Sequence, residues 1–240
     1  MPPPASALSS PVGYACVRLV DSLQALVTTP FQDGVNALCW PRTLPGNFQE
    51  VVDALGRGEG IVTVEESALE NLRLSEAGQV ARAVLLADQQ NLRACGLQPS
   101  LDRVHGSERT EPEGLFPTDV HSWHVDTATV AADTYLCTYV GATSEGLRNE
   151  EAVRRVDVPQ TRGELLKLYG GKEDAGFLEY LADFFYDLHY VPLPQARPYA
   201  FGLGNLWRIA IEYPGCPVPP CVHRAPLTLP GVATRLLLIS

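Results

Sequence analysis

His124-Val125-Asp126, a further histidine far downstream at His223 and an arginine at Arg235 bring metal-binding chemistry into one chain. Two imidazoles and one carboxylate on one face of a mononuclear iron ion leave its other positions open for a cosubstrate and oxygen. On an extended segment alternate side chains point the same way, so His124 and Asp126 can enter one cavity while Val125 packs behind them. An H-x-D tripeptide alone is common on polar strands; the order H-x-D, late His, then Arg is the sharper signal. His121, three residues before the pair, is the alternative ligand. His105 and His189 have no partner at ligand spacing and read as surface residues. Arg224 alternates with His223 and is expected to face away from the cavity, in an ion pair rather than in the chemistry.

The elements that must position these residues follow from pattern. GVNALCW (34–40) is a short apolar run of β character, followed by a turn at 41–46. Asn47 caps a helix over 47–57, and IVTVEE alternates as a strand. A principal helix over 76–95 carries apolar residues at helical spacing, with Gly96 closing it. After Pro99 the texture becomes β-rich: TATVAADTYLCTYVG, NLWRIAIEYPG, CVHRAP and VATRLLLI read as strands separated by turns. Between them, 160–200 is a helical insertion with Leu178, Leu181, Phe184 and Phe185 on one side. Helices first and short strands later predict an α+β protein, most simply a double-stranded β-helix (jelly roll) with flanking helices. Trp123 and Tyr139 are expected to line the cavity if these strands form its wall. No regular strand–helix alternation or Gly-rich phosphate loop supports a parallel βαβ sheet.

Length and composition narrow the function. At 240 residues the chain reads as a single domain over 1–240, with 1–12 a disordered lead. A hydrophobic content of 45% and a charged content of 19% are ordinary for a globular protein. A net charge of −10 argues against sequence-independent nucleic-acid binding and against an anionic membrane surface. No stretch reaches the roughly 20 apolar residues of a membrane span, and the start lacks a secretory signal, so a cytoplasmic protein is expected. The six cysteines (Cys16, Cys39, Cys95, Cys137, Cys216, Cys221) form no C-x-x-C and read as reduced and mostly buried. Cys216 and Cys221 flank a Pro-rich turn just before His223, where a disulfide or metal role is the alternative.

WHVD, LCTYVGATSEGL, CVHRAP and TRLLLIS resemble the motifs of an uncharacterised bacterial family whose members show F-H-V-D, C-T-Y-x-G-x-G-T-x-W and H-R-S-P-P followed by R-L-L-L. GVNALCWPRTLP resembles that family's opening strand and turn. The resemblance spans most of the chain with gaps around 160–200, and departs at GATSEG and at Ala225, where the family has Ser. That family is in turn distantly similar to the Fe(II)/2-oxoglutarate-dependent dioxygenases. The resemblance implies His124, Asp126 and His223 as iron ligands, with Arg235 holding the distal carboxylate of 2-oxoglutarate and Tyr139 on the cosubstrate side. A planar guanidinium suits that task because it meets a carboxylate through two parallel hydrogen bonds.

Three functions compete. The first is an oxygenase that uses Fe(II), 2-oxoglutarate and O2 to hydroxylate a small-molecule substrate. The second is a cupin-like metalloenzyme without 2-oxoglutarate, with zinc as an alternative metal. The third is a non-catalytic metal-binding jelly roll, which a fourth ligand such as His121 or a cysteine would favour, because structural sites are closed. The direction of Arg235 separates the first two.

Overall fold

The structure, a computed structural model, describes residues 13–56, 58–105, 114–226 and 234–240. The expected lead at 1–12 lies outside the described residues. The first half comprises β1 (Val17–Leu19), α1 (Leu23–Thr28), β2 (Ala37–Trp40), α2 (Phe48–Ala54), β3 (Ile61–Thr63), α3 (Glu66–Glu70), α4 (Glu76–Ala94) and β4 (Ser100–Val104). The second comprises β5 (Asp133–Val140), β6 (Glu145–Leu147), β7 (Ala152–Arg154), α5 (Pro159–Tyr169), α6 (Ala175–Asp183), β8 (Tyr190–Pro192), β9 (Tyr199–Ala200), β10 (Leu206–Ala210), β11 (Val222–Arg224) and β12 (Arg235–Ile239). The architecture is mixed α+β, as the sequence pattern predicts. No helix among the described residues is long and apolar enough to cross a membrane.

Among the described residues the main sheet runs β1-β2-β10-β5-β12-β4-β3, antiparallel except for the β1–β2 pair. Strand alternation sorts its two faces. Tyr135, Cys137 and Tyr139 of β5, with Leu236 and Leu238 of β12, join Val51 of α2 and Leu85 and Leu92 of α4 in the largest core. Asn47 caps α2 by accepting from the Glu50 amide, and Ser75 caps α4 by accepting from the Gly78 amide. Gly96, just past α4, takes a φ of +84°, the left-handed conformation that a helix end favours and glycine tolerates.

The opposite face carries a second layer. A smaller sheet, β11-β6-β9, packs over it through Tyr199 and Phe201, which meet Ala37, Cys39, Leu136, Trp207 and Ile209. Phe201 stacks on Trp207 with ring centroids 4.3 Å apart. The insertion has its own core of Phe116, Val156, Leu165, Phe177, Leu181 and Tyr186. Its expected apolar side is corrected here. Leu181 is buried beside Phe177, one helical turn earlier, whereas Leu178, Phe184 and Phe185 are exposed.

Candidate metal centre

The two predicted histidine ligands are held by a reciprocal backbone pair. The His124 amide donates to the His223 carbonyl and the His223 amide to the His124 carbonyl, both at 2.9 Å. Such a pair sets two residues directly opposite one another with side chains on the same face, and the imidazole centroids lie 4.4 Å apart. The H-x-D segment is not itself a regular strand: His124 is an isolated bridge residue between His223 of β11 and His189. The alternation still holds locally. Val125 is buried with Trp123, Leu147 and Val222, while Asp126 turns to the histidine side.

Asp126 Oδ1 lies 3.7 Å from His124 Nε2 and 3.8 Å from His223 Nε2. An ion bonded at about 2.1 Å to two donors spans at most about 4.2 Å, so both edges fit one divalent cation. The rings are oriented for it. His124 Nδ1 lies 2.8 Å from the Ser122 carbonyl and His223 Nδ1 3.2 Å from the Cys221 carbonyl. A carbonyl only accepts, so each Nδ1 donates and each Nε2 turns a lone pair to the site. Thr134 of β5 donates to Asp126 Oδ2 at 2.6 Å and fixes the carboxylate. Burial, then the neighbouring His223, pushes the His124 imidazole down to about 4. Burial alone would raise the Asp126 carboxyl, but His223, the Thr134 hydroxyl and His124 hold it below its ordinary value. Neutral imidazole and ionised carboxylate are the forms that ligate metal. Among the described residues no fourth donor joins the cluster, so the site is open.

A cavity of about 220 Å³ lies against this triad and contains Arg235, Ser144, Leu136 and Leu237 among its walls. Arg235 is 3% exposed, and no carboxylate of the described residues pairs with it. Its side-chain contact is with Ser144 Oγ, 3.3 Å from Nη2, and its Nε is buried without a partner. Burial alone lowers its guanidinium to about 10. Gly141 shapes this corner: its φ is +86°, and a Cβ there would meet Arg235 Cγ at 2.9 Å. An anion is the chemistry this arrangement lacks.

Comparison with known proteins finds no family model, no curated protein and no solved structure that matches this chain.

Of the sequence-predicted residues, His124, Asp126, His223 and Arg235 thus share one cavity, and Tyr139 does not. Tyr139 sits on the helix side of β5 and donates to Asp88 Oδ2 of α4 at 2.6 Å, because its alternation parity is that of Tyr135 and Cys137. Trp123, also expected at the cavity wall, is instead buried behind it under the Arg224 guanidinium. Arg224 faces away from His223 and pairs with Glu145, as expected. His121 reaches the cavity, but its Nδ1 is engaged with the Pro226 carbonyl at 3.0 Å and it does not join the triad.

Two histidines expected at the surface are not there. His189 is 4% exposed, its ring 5.8 Å from that of His124, and His105 is half-buried with Nδ1 3.2 Å from Thr234 Oγ1. The cysteines are free: Cys221 Sγ contacts the Tyr199 hydroxyl, Cys216 Sγ donates to the Val218 carbonyl, and Cys95 alone is exposed. Sequence reasoning missed Thr134, Ser144 and His189. Thr134 and Leu136 share a parity opposite to Tyr139, which was the available signal. Nothing local marks Ser144 or His189.

Proposed function

We propose that this protein is a non-haem Fe(II)/2-oxoglutarate-dependent oxygenase acting on a small-molecule substrate. The observation that carries the reading is Arg235, a buried guanidinium that no carboxylate of the described residues pairs, in the same cavity as an open His-Asp-His triad. A closed structural site would not need that cation. A metalloenzyme without an anionic cosubstrate would leave its desolvation uncompensated. We read the facing sheets as a jelly roll; supporting this, β11 and β12 present His223 and Arg235 to one cavity from different sheets. The motif resemblance points the same way.

In this reading His124, Asp126 and His223 hold Fe(II), which when bound supplies the keto-acid chelation and oxygen activation. Arg235 binds the remote carboxylate of 2-oxoglutarate, with Ser144 steadying the guanidinium. Leu136 and Leu237 keep water from the chain between the two ends. Thr134 keeps the Asp126 carboxylate turned to the metal.

Iron content and anaerobic titration test the proposal. Stoichiometric iron is expected in the wild type and its loss in His124→Ala, Asp126→Ala and His223→Ala; undiminished iron in all three removes the triad. Adding 2-oxoglutarate to the Fe(II) protein is expected to produce a weak visible charge-transfer band. An unchanged spectrum with iron bound removes the cosubstrate.

A further inference from the structure

The geometry points to a second opening on the triad as the pocket for the primary substrate: a small uncharged molecule with a planar apolar body and one hydrogen-bonding group, received by His189. This inference rests on the oxygenase reading for the role of the pocket, though not for its ligand chemistry. The opening, of about 230 Å³, is lined by Thr118, Val125, Phe185, Leu188 and His189 among others. It shares only Val120, His124 and Asp126 with the cavity that holds Arg235. One metal position is therefore approached from two sides that differ in character.

The charge on the two sides differs. Arg235 lines the first cavity, whereas no Arg or Lys of the described residues lines the second, which Asp126 and Asp119 face. A bound anion would lose its water there beside two carboxylates and with no cation of the described residues in the wall. Hydrogen-bonding capacity comes from His189, which lines the opening while only 4% exposed and whose imidazole also leans on the Trp123 carbonyl. The imidazole can donate from one nitrogen or accept at the other, which suits an alcohol, carbonyl or amide. His189 is fixed there by the chain on both sides: the Val125 amide donates to the Leu188 carbonyl and the Tyr190 amide to the Trp123 carbonyl.

Planarity follows from Phe185. The residue is 56% exposed at the edge of this pocket, and its backbone sits at φ +58°, a region rarely used by bulky residues. Strain of that kind persists where the surrounding structure demands the position, and it clusters at ligand clamps. Phe185 with Leu188 and Val125 supplies an apolar surface on which a flat ring stacks.

The test uses the full chain without added metal and three probes: benzyl alcohol, toluene and benzoate, titrated by saturation-transfer NMR. Benzyl alcohol is expected to bind, with toluene about tenfold weaker for want of one hydrogen bond. His189→Ala should bring benzyl alcohol to the toluene level, with partial rescue by His189→Gln. Phe185→Ala, at an exposed residue and so without a core to disrupt, should weaken both neutral probes about tenfold. Benzoate should depend on Arg235 and ignore Phe185. Absence of benzyl alcohol binding overturns the inference, as does binding that follows Arg235→Ala and is indifferent to Phe185→Ala. If 2-oxoglutarate fails to bind the Fe(II) protein while the neutral probes behave as stated, the pocket stands and the oxygenase reading falls.

Discussion

Arg42, its side chain 8% exposed, and Arg235, 3% exposed, lie on opposite sides of the main sheet and are treated in opposite ways. Arg42, just past β2, reaches the helix side, where Nη1 pairs with Asp88 Oδ1 at 2.7 Å and Nε donates to the Gly204 carbonyl at 2.8 Å. Its Nη2 meets Cys137 Sγ and its plane lies over Trp40. Burial by itself would lower that guanidinium, but the hydrogen bond it donates to Asp88 lifts it above its ordinary value. Tyr139 completes the network by donating to the other Asp88 oxygen. Arg235, on the cavity side, has among the described residues one hydroxyl partner and an orphaned Nε, and burial alone lowers it to about 10. A satisfied cation holds a fold together; an unsatisfied one is retained against stability and implies a ligand.

The contrast is sharpest in stability. Arg42→Met leaves the Asp88 carboxylate buried with Tyr139 alone and is expected to lower unfolding free energy by about 3–5 kcal/mol in urea titrations. A loss below about 1 kcal/mol would erase the distinction between the two arginines. Arg235→Met should show the reverse pattern. Unfolding free energy should stay level or rise by about 1 kcal/mol, while 2-oxoglutarate binding to the Fe(II) protein weakens by about 3 kcal/mol, roughly a hundredfold. A destabilised Arg235→Met protein that still binds 2-oxoglutarate would place both arginines in the structural class.

The cavity side also resists protonation at His189, where burial outweighs the nearby Asp119 and pushes the imidazole from 6.5 down to about 4. The unfolded chain takes up that proton first as pH falls, so this contribution is complete above 6.5 and is lost progressively toward 4. In metal-free protein His189 should contribute a loss of about 2 kcal/mol over that range, added to that of His124, and His189→Gln should flatten part of the slope. Urea midpoints across the range decide it; an unchanged slope in the variant assigns the effect elsewhere. Arg224→Ala should have the smallest effect, under about 1 kcal/mol on stability and none on 2-oxoglutarate binding, since its Glu145 pair lies outside the cavity. A large loss of binding there would mean that the two strand faces communicate.

Much of the candidate site was legible because its signals are local. Alternation separates His124 and Asp126 from Val125, and His223 from Arg224, wherever the segment is placed. Caps at Asn47 and Ser75 and the glycine after α4 obey rules a few residues long. The α+β character and the H-x-D, His, Arg order belong to this class, and so does the acidic charge balance.

Tertiary structure decided what alternation leaves open, namely which parity faces which layer and which distant segment lies alongside. Tyr139 and Leu136 differ in parity on one strand, yet only the placement of α4 sends Tyr139 to Asp88 and leaves Leu136 to the cavity. His189 carries no spacing relation to His124 and becomes its neighbour because the chain after α6 returns beside Trp123 and Val125. Ser144 meets Arg235 across a cavity wall whose shape depends on Gly141. These are contacts between residues tens of positions apart, formed when the core closes the loops between them, and no short window of sequence encodes which loops will close.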